Sequence, residues 1–421
     1  MSKSIYQVGE IPPLGVVPEK MYASIIRQDR YGRPDDAFRI EAIDVPEVRR
    51  GQVLVMIMAA GINYNNVWAA YGTPVDVIGM RQKMGQPEDF HVGGSEGSGV
   101  VWAIGEGVRN VSVGDHVVIS PGQWDETAED VRLGGDPMVA KSLGAYGYEV
   151  NYGTFAQFAL VDDYQLHPKP ANLTWEAAAC YMLTAGTAYR QLTGWAPHVV
   201  KPGDPVLIWG GAGGLGTMAI QIAKLRGGIP IAVISNDSRS EYCMSLGAAG
   251  TINRSEFDHW GRLPDVDDRD AFKAWNRSAQ EFGRRIWNIL GERRAPKIVL
   301  EHSGENTLPT SMYLCDTLGM VVLCGGTSGY NGDVDLRHLW MRQKRLQGSH
   351  GASLKECREV TSLIASGQLD PCLTACEEFE AVGKVHQMMA DNVHPGGNMA
   401  VLVNASRTGM KSLQEELSLV G

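Results

Sequence analysis

The stretch Asp204–Gly228, "DPVLIWGGAGGLGTMAIQIAKLRGG", runs from a short apolar segment through a glycine-rich turn into a periodic Ala/Ile-rich segment. A short apolar run closed by glycines reads as a buried strand, and apolar residues recurring every three to four positions read as a helix face. Gly211, Gly213 and Gly216 supply the spacing G-x-G-x-x-G across the junction. The first glycine permits the tight turn, the second lets backbone approach a pyrophosphate, and the third lets helix and strand pack closely. The opening helical amides, at Gly214, Leu215 and Gly216, lack intrahelical acceptors and are free to face phosphate oxygens. Glycine spacing alone is weak; the strand before it and the helix after it make it a dinucleotide signature.

Short apolar strands recur downstream in "PIAVIS", "GTIN", "KIVLEH" and "GMVVLCGG", separated by helical segments. That alternation predicts a doubly wound parallel sheet, an α/β Rossmann domain over residues 192–348. Residues 255–292 are charged and rich in Trp and Arg, and read as a helical insertion. Residues 1–191 contain alternating β segments such as "GQVLVMIMAAG" and "GGSEGSGVVWAIG", predicting a β-rich first domain. Across their end runs "LTWEAAACYMLTAGTAYRQL" (173–192), which reads as one helix capped by Thr174. Residues 349–421 end in "GGNMAVLVN", a strand expected to return to the first domain. Two domains also suit a chain of 421 residues, which exceeds what one core usually organises.

A net charge of −10 without a long basic run argues against nucleic acid and anionic membrane surfaces as partners. One basic cluster, "RHLWMRQKR" at 337–345, is suited to a small phosphorylated ligand. The seven cysteines are scattered and read as reduced thiols; the CxxxC spacing of Cys372 and Cys376 alone is a weak metal signal. The N-terminal sequence lacks a signal-peptide pattern and no run reaches transmembrane length, so a cytoplasmic location is expected.

After "PIAVI" come Ser235, Asn236, Asp237, Ser238 and Arg239. An NAD site usually carries an acidic residue at this strand end, whereas a hydroxyl with a nearby Arg suits a 2′-phosphate, so NADPH is the expected cofactor. Asp237 is the rival ribose ligand if the strand runs longer. A separate loop, "AYGYEVNYGTF", holds a single charge, Glu149, among aromatic rings, with Gly147 and Gly153 bracketing it. On residue type alone, Glu149 reads first as a solvated charge and Tyr148 as a packing residue, while Asn65 is equally an Asx-turn residue and His350 equally a core histidine.

The segments "GGSEGSGVV", "AACYMLTAGTAYR", "GGAGGLG" and "RLQGSH" resemble the medium-chain dehydrogenase/reductase superfamily, implying a GroES-like catalytic domain beside the Rossmann domain. The zinc branch would place His where Ser95 stands and an early Cys where this chain reads "GINYNN", so no metal is expected. The markers "AAGINYNNVW", "GYEVNYGTFAQF", "APHVVKPGDPVLIWG", "LWMRQKRLQGSH" and "GGNMAVLVN" resemble more closely the crotonyl-CoA carboxylase/reductase group. This resemblance implies NADPH-dependent reduction of crotonyl-CoA with fixation of CO2 to give ethylmalonyl-CoA. It places the carbon dioxide contacts on Asn65, Tyr148, Glu149 and His350, adds Thr187 to the cofactor contacts, assigns Arg337 to the CoA phosphates, and implies a homotetramer. Gly351, Ser303 and His338 depart from the group's pattern. An NADPH-dependent enoyl-CoA or quinone-type reductase without carboxylation is the alternative.

Overall fold

In the computed structural model, which describes residues 3–419, the chain forms two compact units. One contains the chain up to Leu183 and from Ala352 onward; the other is Thr184–Gly351.

In the Thr184–Gly351 unit, Pro205–Ile208 sits inside a six-stranded parallel sheet. Ile229–Ile234 and then Gly250–Asn253 lie on one side of it; Ile298–Glu301, Met320–Leu323 and Arg345–Gly348 follow on the other. The chain thus starts in the middle, builds outward one way, then crosses over and builds the other way. In doubly wound sheets, ligands bind at that reversal, beyond the carboxyl ends of the strands. The charged stretch read as an insertion forms the 22-residue helix Arg269–Leu290, capped by the Asp268 side chain and ended by Gly291 at φ 71°. Its Trp275, Ala279, Phe282 and Ile286 are buried at helical spacing, and Phe282 stacks on Trp209 with ring centroids 5.8 Å apart.

The other unit is built on the ten-residue strand Gln52–Gly61, buried along almost its whole length. Antiparallel partners Gly97–Ile104 and Phe158–Asp162 flank it. Asn398–Leu402 also pairs with it antiparallel, so the C-terminal strand does return to the first domain. A second sheet joins Arg39–Asp44, Lys20–Arg27 and Phe90–Val92.

The expected single helix from Thr174 is two. Thr174 caps the first, Trp175–Ala179, accepting from the Ala177 N–H at 3.3 Å; the second is Met182–Thr193. The break at Cys180 and Tyr181 has a tertiary cause. The buried Glu96 carboxylate accepts the Leu183 N–H at 2.8 Å and so caps the head of the second helix. No helix among the described residues is long and apolar enough to cross a membrane.

Candidate active site

The glycine turn has the geometry its spacing implies. Helix Gly214–Leu225 begins directly after Gly213, so the N–H groups of Gly214, Leu215 and Gly216 precede the first helical hydrogen bond, Thr217 N–H to Gly213 O at 2.9 Å. A Cβ on Gly211 would lie 2.5 Å from the Ala232 Cβ, and one on Gly216 would lie 2.3 Å from the Gly210 carbonyl oxygen. Both glycines are therefore required by packing. A Cβ on Gly213 would meet nothing closer than 3.4 Å, so protein packing leaves the space in front of that residue clear. A dinucleotide pyrophosphate fits such a cradle of donors.

Strand Ile229–Ile234 ends one residue before Ser235, which is exposed, and Arg239 closes the short turn Asp237–Arg239. Asp237 lies beyond the strand end and accepts from the Asn253 side-chain amide at 3.1 Å. Thr187 is buried in helix Met182–Thr193.

In the other unit, the aromatic loop lies against the Gly93–Gly94 backbone. A Cβ on Gly147 would come within 2.0 Å of the Gly94 carbonyl oxygen, and one on Gly153 within 2.3 Å of that of Gly93. The glycines that bracket the loop are there for this close approach. Thr154 N–H donates to Gly94 O at 2.9 Å and Phe155 N–H to Gly93 O at 3.0 Å, fixing the contact. Asn65, at the start of helix Asn65–Tyr71, approaches the same segment: its Nδ2 donates to Ser95 Oγ at 2.6 Å. Asn66 Nδ2 donates to Asn65 Oδ1 at 3.0 Å. Asn65 is therefore held in a side-chain network, and the Asx-turn alternative fails. The next residue, Glu96, is fully buried; desolvation pushes its carboxyl up to about 7, against the opposing hydrogen bonds from Asn63 and Leu183.

The comparisons agree with this architecture. An alcohol dehydrogenase GroES-like domain model matches residues 49–171 and a zinc-binding dehydrogenase model matches residues 214–366. A crotonyl-CoA carboxylase/reductase of Cereibacter sphaeroides is 45% identical over 415 residues, covering 99% of this chain and 95% of the relative. The chain belongs to the crotonyl-CoA carboxylase/reductase family. Among solved structures, the crotonyl-CoA carboxylase/reductase AntE in complex with NADP is 63% identical, with a TM-score of 0.93 over 96% of this chain and 100% of that one. The 2-octenoyl-CoA carboxylase reductase CinF in complex with NADP and 2-octenoyl-CoA is 35% identical, with a TM-score of 0.85 over 96% and 93%.

The remaining positions that resemblance to the carboxylase/reductase family singled out are placed as follows. Tyr148 is buried in the core, and its backbone N–H donates to Ala145 O at 3.1 Å, so that group is already engaged. Glu149 is half-buried; one carboxylate oxygen accepts the Ala145 N–H at 2.6 Å, and the other accepts no hydrogen bond among the described residues. The carboxylate thus locks its own loop and keeps accepting capacity. His350 is exposed, which removes the core-histidine alternative; it follows buried Ser349, whose hydroxyl accepts from Trp195 Nε1 at 3.2 Å. Gly351 adopts φ 55°, a left-handed conformation costly for a bulkier residue.

Arg337 makes a two-pronged contact with Asp335, at 2.9 and 2.7 Å, which holds the Asp335 carboxyl below its usual range. Much of the basic cluster is likewise engaged within the unit. Lys344 donates to the Met312 and Tyr313 carbonyls, Arg345 to the Trp195 carbonyl, and His338 Nε2 lies 3.7 Å from Asp335. Ser303 uses its N–H on the buried Glu301 carboxylate at 2.8 Å. No disulfide joins Cys372 and Cys376, and among the described residues no three His, Cys, Asp or Glu side chains gather as a metal ion would need. Sequence reading missed Asn66 and Glu96 altogether and took Ser95 only for a missing zinc ligand. An Asn pair in "NYNN" and a charge among small residues in "GGSEGSG" were the available signals.

Proposed function

We propose that this protein catalyses NADPH-dependent reductive carboxylation of an α,β-unsaturated acyl-CoA, converting crotonyl-CoA and CO2 to ethylmalonyl-CoA. The single observation that carries the reading is the Asn65 amide: its oxygen and one N–H are bound by Asn66 and Ser95, and its second N–H has no partner among the described residues. The cofactor's phosphates are assigned to the amides of Gly214, Leu215 and Gly216 past the turn at Gly211, over the clear space at Gly213, with Ser235 and Arg239 at the 2′-phosphate and Thr187 among the cofactor contacts. NADPH supplies the hydride when bound.

Reduction at the β-carbon of an enoyl thioester leaves an enolate whose α-carbon is the nucleophile, and a proton and CO2 compete for it. CO2 has no net charge or dipole, so it is held by hydrogen bonds to its oxygens and by shape. Asn65 donates to one oxygen. Glu149, with its open carboxylate oxygen, orders a water that donates to the other, and His350 is assigned to the carbon dioxide contacts by resemblance to the family alone. Tyr148 contributes through packing, limiting the bulk water that would protonate the enolate. Holding the electrophile beside the nucleophile removes much of the entropic barrier. No metal is used, since Ser95 and the cysteine-free "GINYNN" offer zinc none of the expected ligands. Arg337 reaches a CoA phosphate by sharing its guanidinium with Asp335.

The protein is proposed to work in the cytoplasm as a homo-oligomer, a tetramer by resemblance. Support for self-association comes from the outermost strand of the parallel sheet, Arg345–Gly348, with Leu346 exposed on it and Leu318, Leu336, Trp340 and Met341 exposed in the same unit.

Product analysis of Asn65→Leu and Glu149→Ala tests the residue assignment. Loss of one such hydrogen bond is worth about 1 kcal/mol, a partition shift of roughly fivefold from ethylmalonyl-CoA toward butyryl-CoA. If both variants lose turnover with the carboxylated fraction unchanged, the carbon dioxide site is misassigned.

A further inference from the structure

We infer that Asn66 and Ser95 are positioning residues for the Asn65 amide, Asn66 setting which end donates and Ser95 anchoring that end as its acceptor; this rests on the carbon dioxide reading of Asn65. The polarity starts from a group that has no choice. The backbone N–H of Gly94 can only donate, and it donates to Asn66 Oδ1 at 3.2 Å. Asn66 therefore turns its NH2 toward Asn65 and donates to Asn65 Oδ1 at 3.0 Å. Asn65 must in turn direct its own NH2 toward Ser95, whose hydroxyl oxygen accepts at 2.6 Å. Reversing the Asn65 amide would set two NH2 groups against each other.

Burial makes the order strict. Asn66 and Ser95 are both fully buried, where an unmatched donor is costly because no water replaces the lost partner. Their burial also means that neither touches substrate, so both act through Asn65. The local backbone is shaped for the relay: Gly94 has φ 94°, and a Cβ there would lie 2.4 Å from Thr154 Oγ1. A Cβ on neighbouring Gly93 would lie 2.0 Å from Asn66 Oδ1. Two adjacent glycines let the Gly94 N–H reach a buried side chain. The serine that replaces the expected zinc-binding histidine thus has a positive task as the acceptor that ends the relay.

The test measures the carboxylated fraction of product against CO2 concentration, with bicarbonate and carbonic anhydrase, for wild type, Ser95→Ala, Asn65→Leu and the double variant. Ser95→Ala removes the acceptor, and the CO2 concentration giving half of the maximal carboxylated fraction should rise about twofold to tenfold. In the Asn65→Leu background the same substitution should add nothing, because the group it positions is gone. Ser95→Cys, which keeps the side chain's shape but offers a weak acceptor, should shift the value in the same direction and serves if the alanine variant folds poorly. If Asn65→Leu changes the partition while Ser95→Ala and Ser95→Cys do not, the relay is wrong and the reading of Asn65 stands. An equal Ser95→Ala effect with and without Asn65 also overturns the relay. If Asn65→Leu itself leaves the partition unchanged, the carbon dioxide reading of Asn65 falls, and the relay with it.

Discussion

Gly213→Ala and Gly216→Ala add the same methyl group to the same turn and should fail in different ways. At Gly216 the new Cβ would sit 2.3 Å from the Gly210 carbonyl oxygen and 2.6 Å from the Gly211 Cα, both backbone atoms that cannot swing aside. The helix must back away from the sheet by most of an ångström. Overpacking against backbone that cannot yield falls in the upper part of about 1–3 kcal/mol, so a net loss of about 1–2 kcal/mol remains after alanine's better helix propensity returns about 1 kcal/mol. At Gly213 the Cβ would be 3.4 Å from its nearest neighbour, and the residue's φ of −81° and ψ of 175° suit alanine. Stability should therefore change by less than about 1 kcal/mol. That methyl group stands where the pyrophosphate is proposed to lie, so a clash of about 1–3 kcal/mol weakens NADPH roughly fivefold to 150-fold. Fluorescence titration with NADPH and thermal melts of the two apo variants separate these effects. Wild-type NADPH affinity in Gly213→Ala would refute the placement of the phosphates. Unchanged melting of Gly216→Ala would refute the packing role of that glycine.

Arg239→Ala should weaken NADPH about tenfold while leaving NADH nearly unaffected, as cofactor titration will show, because a charge-assisted contact to the 2′-phosphate is lost. Equal losses for both cofactors would remove Arg239 from the specificity site. Glu96 gives a pH signature: its ordinary value is 4.5 and burial lifts it to about 7, so the folded state binds more protons than the unfolded state between these values. Stability contributed by protonated Glu96 is fully present below pH 4.5 and is lost as pH rises through 7. The wild-type stability advantage over Glu96→Gln should fall by about 2–3 kcal/mol between pH 5 and pH 8 in urea unfolding. A pH-independent difference would contradict the raised value.

The dinucleotide unit was legible because its information is local. A strand, three spaced glycines and a helix are contiguous in sequence, and Ser235 with Arg239 follows at the next strand end. The return of Asn398–Leu402 to the first domain was legible from its apolar pattern. The helix break at Cys180 was not, since the apolar periodicity runs through it and its cause, Glu96, is 87 residues from Leu183. The meeting of Asn65 with Ser95, 30 residues away, is equally tertiary. Sequence placed Glu149 in a glycine-bracketed loop without revealing that the brackets fit against Gly93 and Gly94. Asp335, the partner of Arg337, stands only two residues upstream, but a count of the basic cluster's charge does not reveal that the two pair.

The most direct measurement supplies the enzyme with crotonyl-CoA, NADPH and 13C-bicarbonate plus carbonic anhydrase, and follows NADPH oxidation together with product mass. Reductive carboxylation predicts ethylmalonyl-CoA carrying one labelled carboxyl group for each NADPH oxidised at saturating CO2, with butyryl-CoA taking over as CO2 is withdrawn. Unlabelled butyryl-CoA as the sole product at saturating CO2, with NADPH oxidised at an unchanged rate, would contradict it.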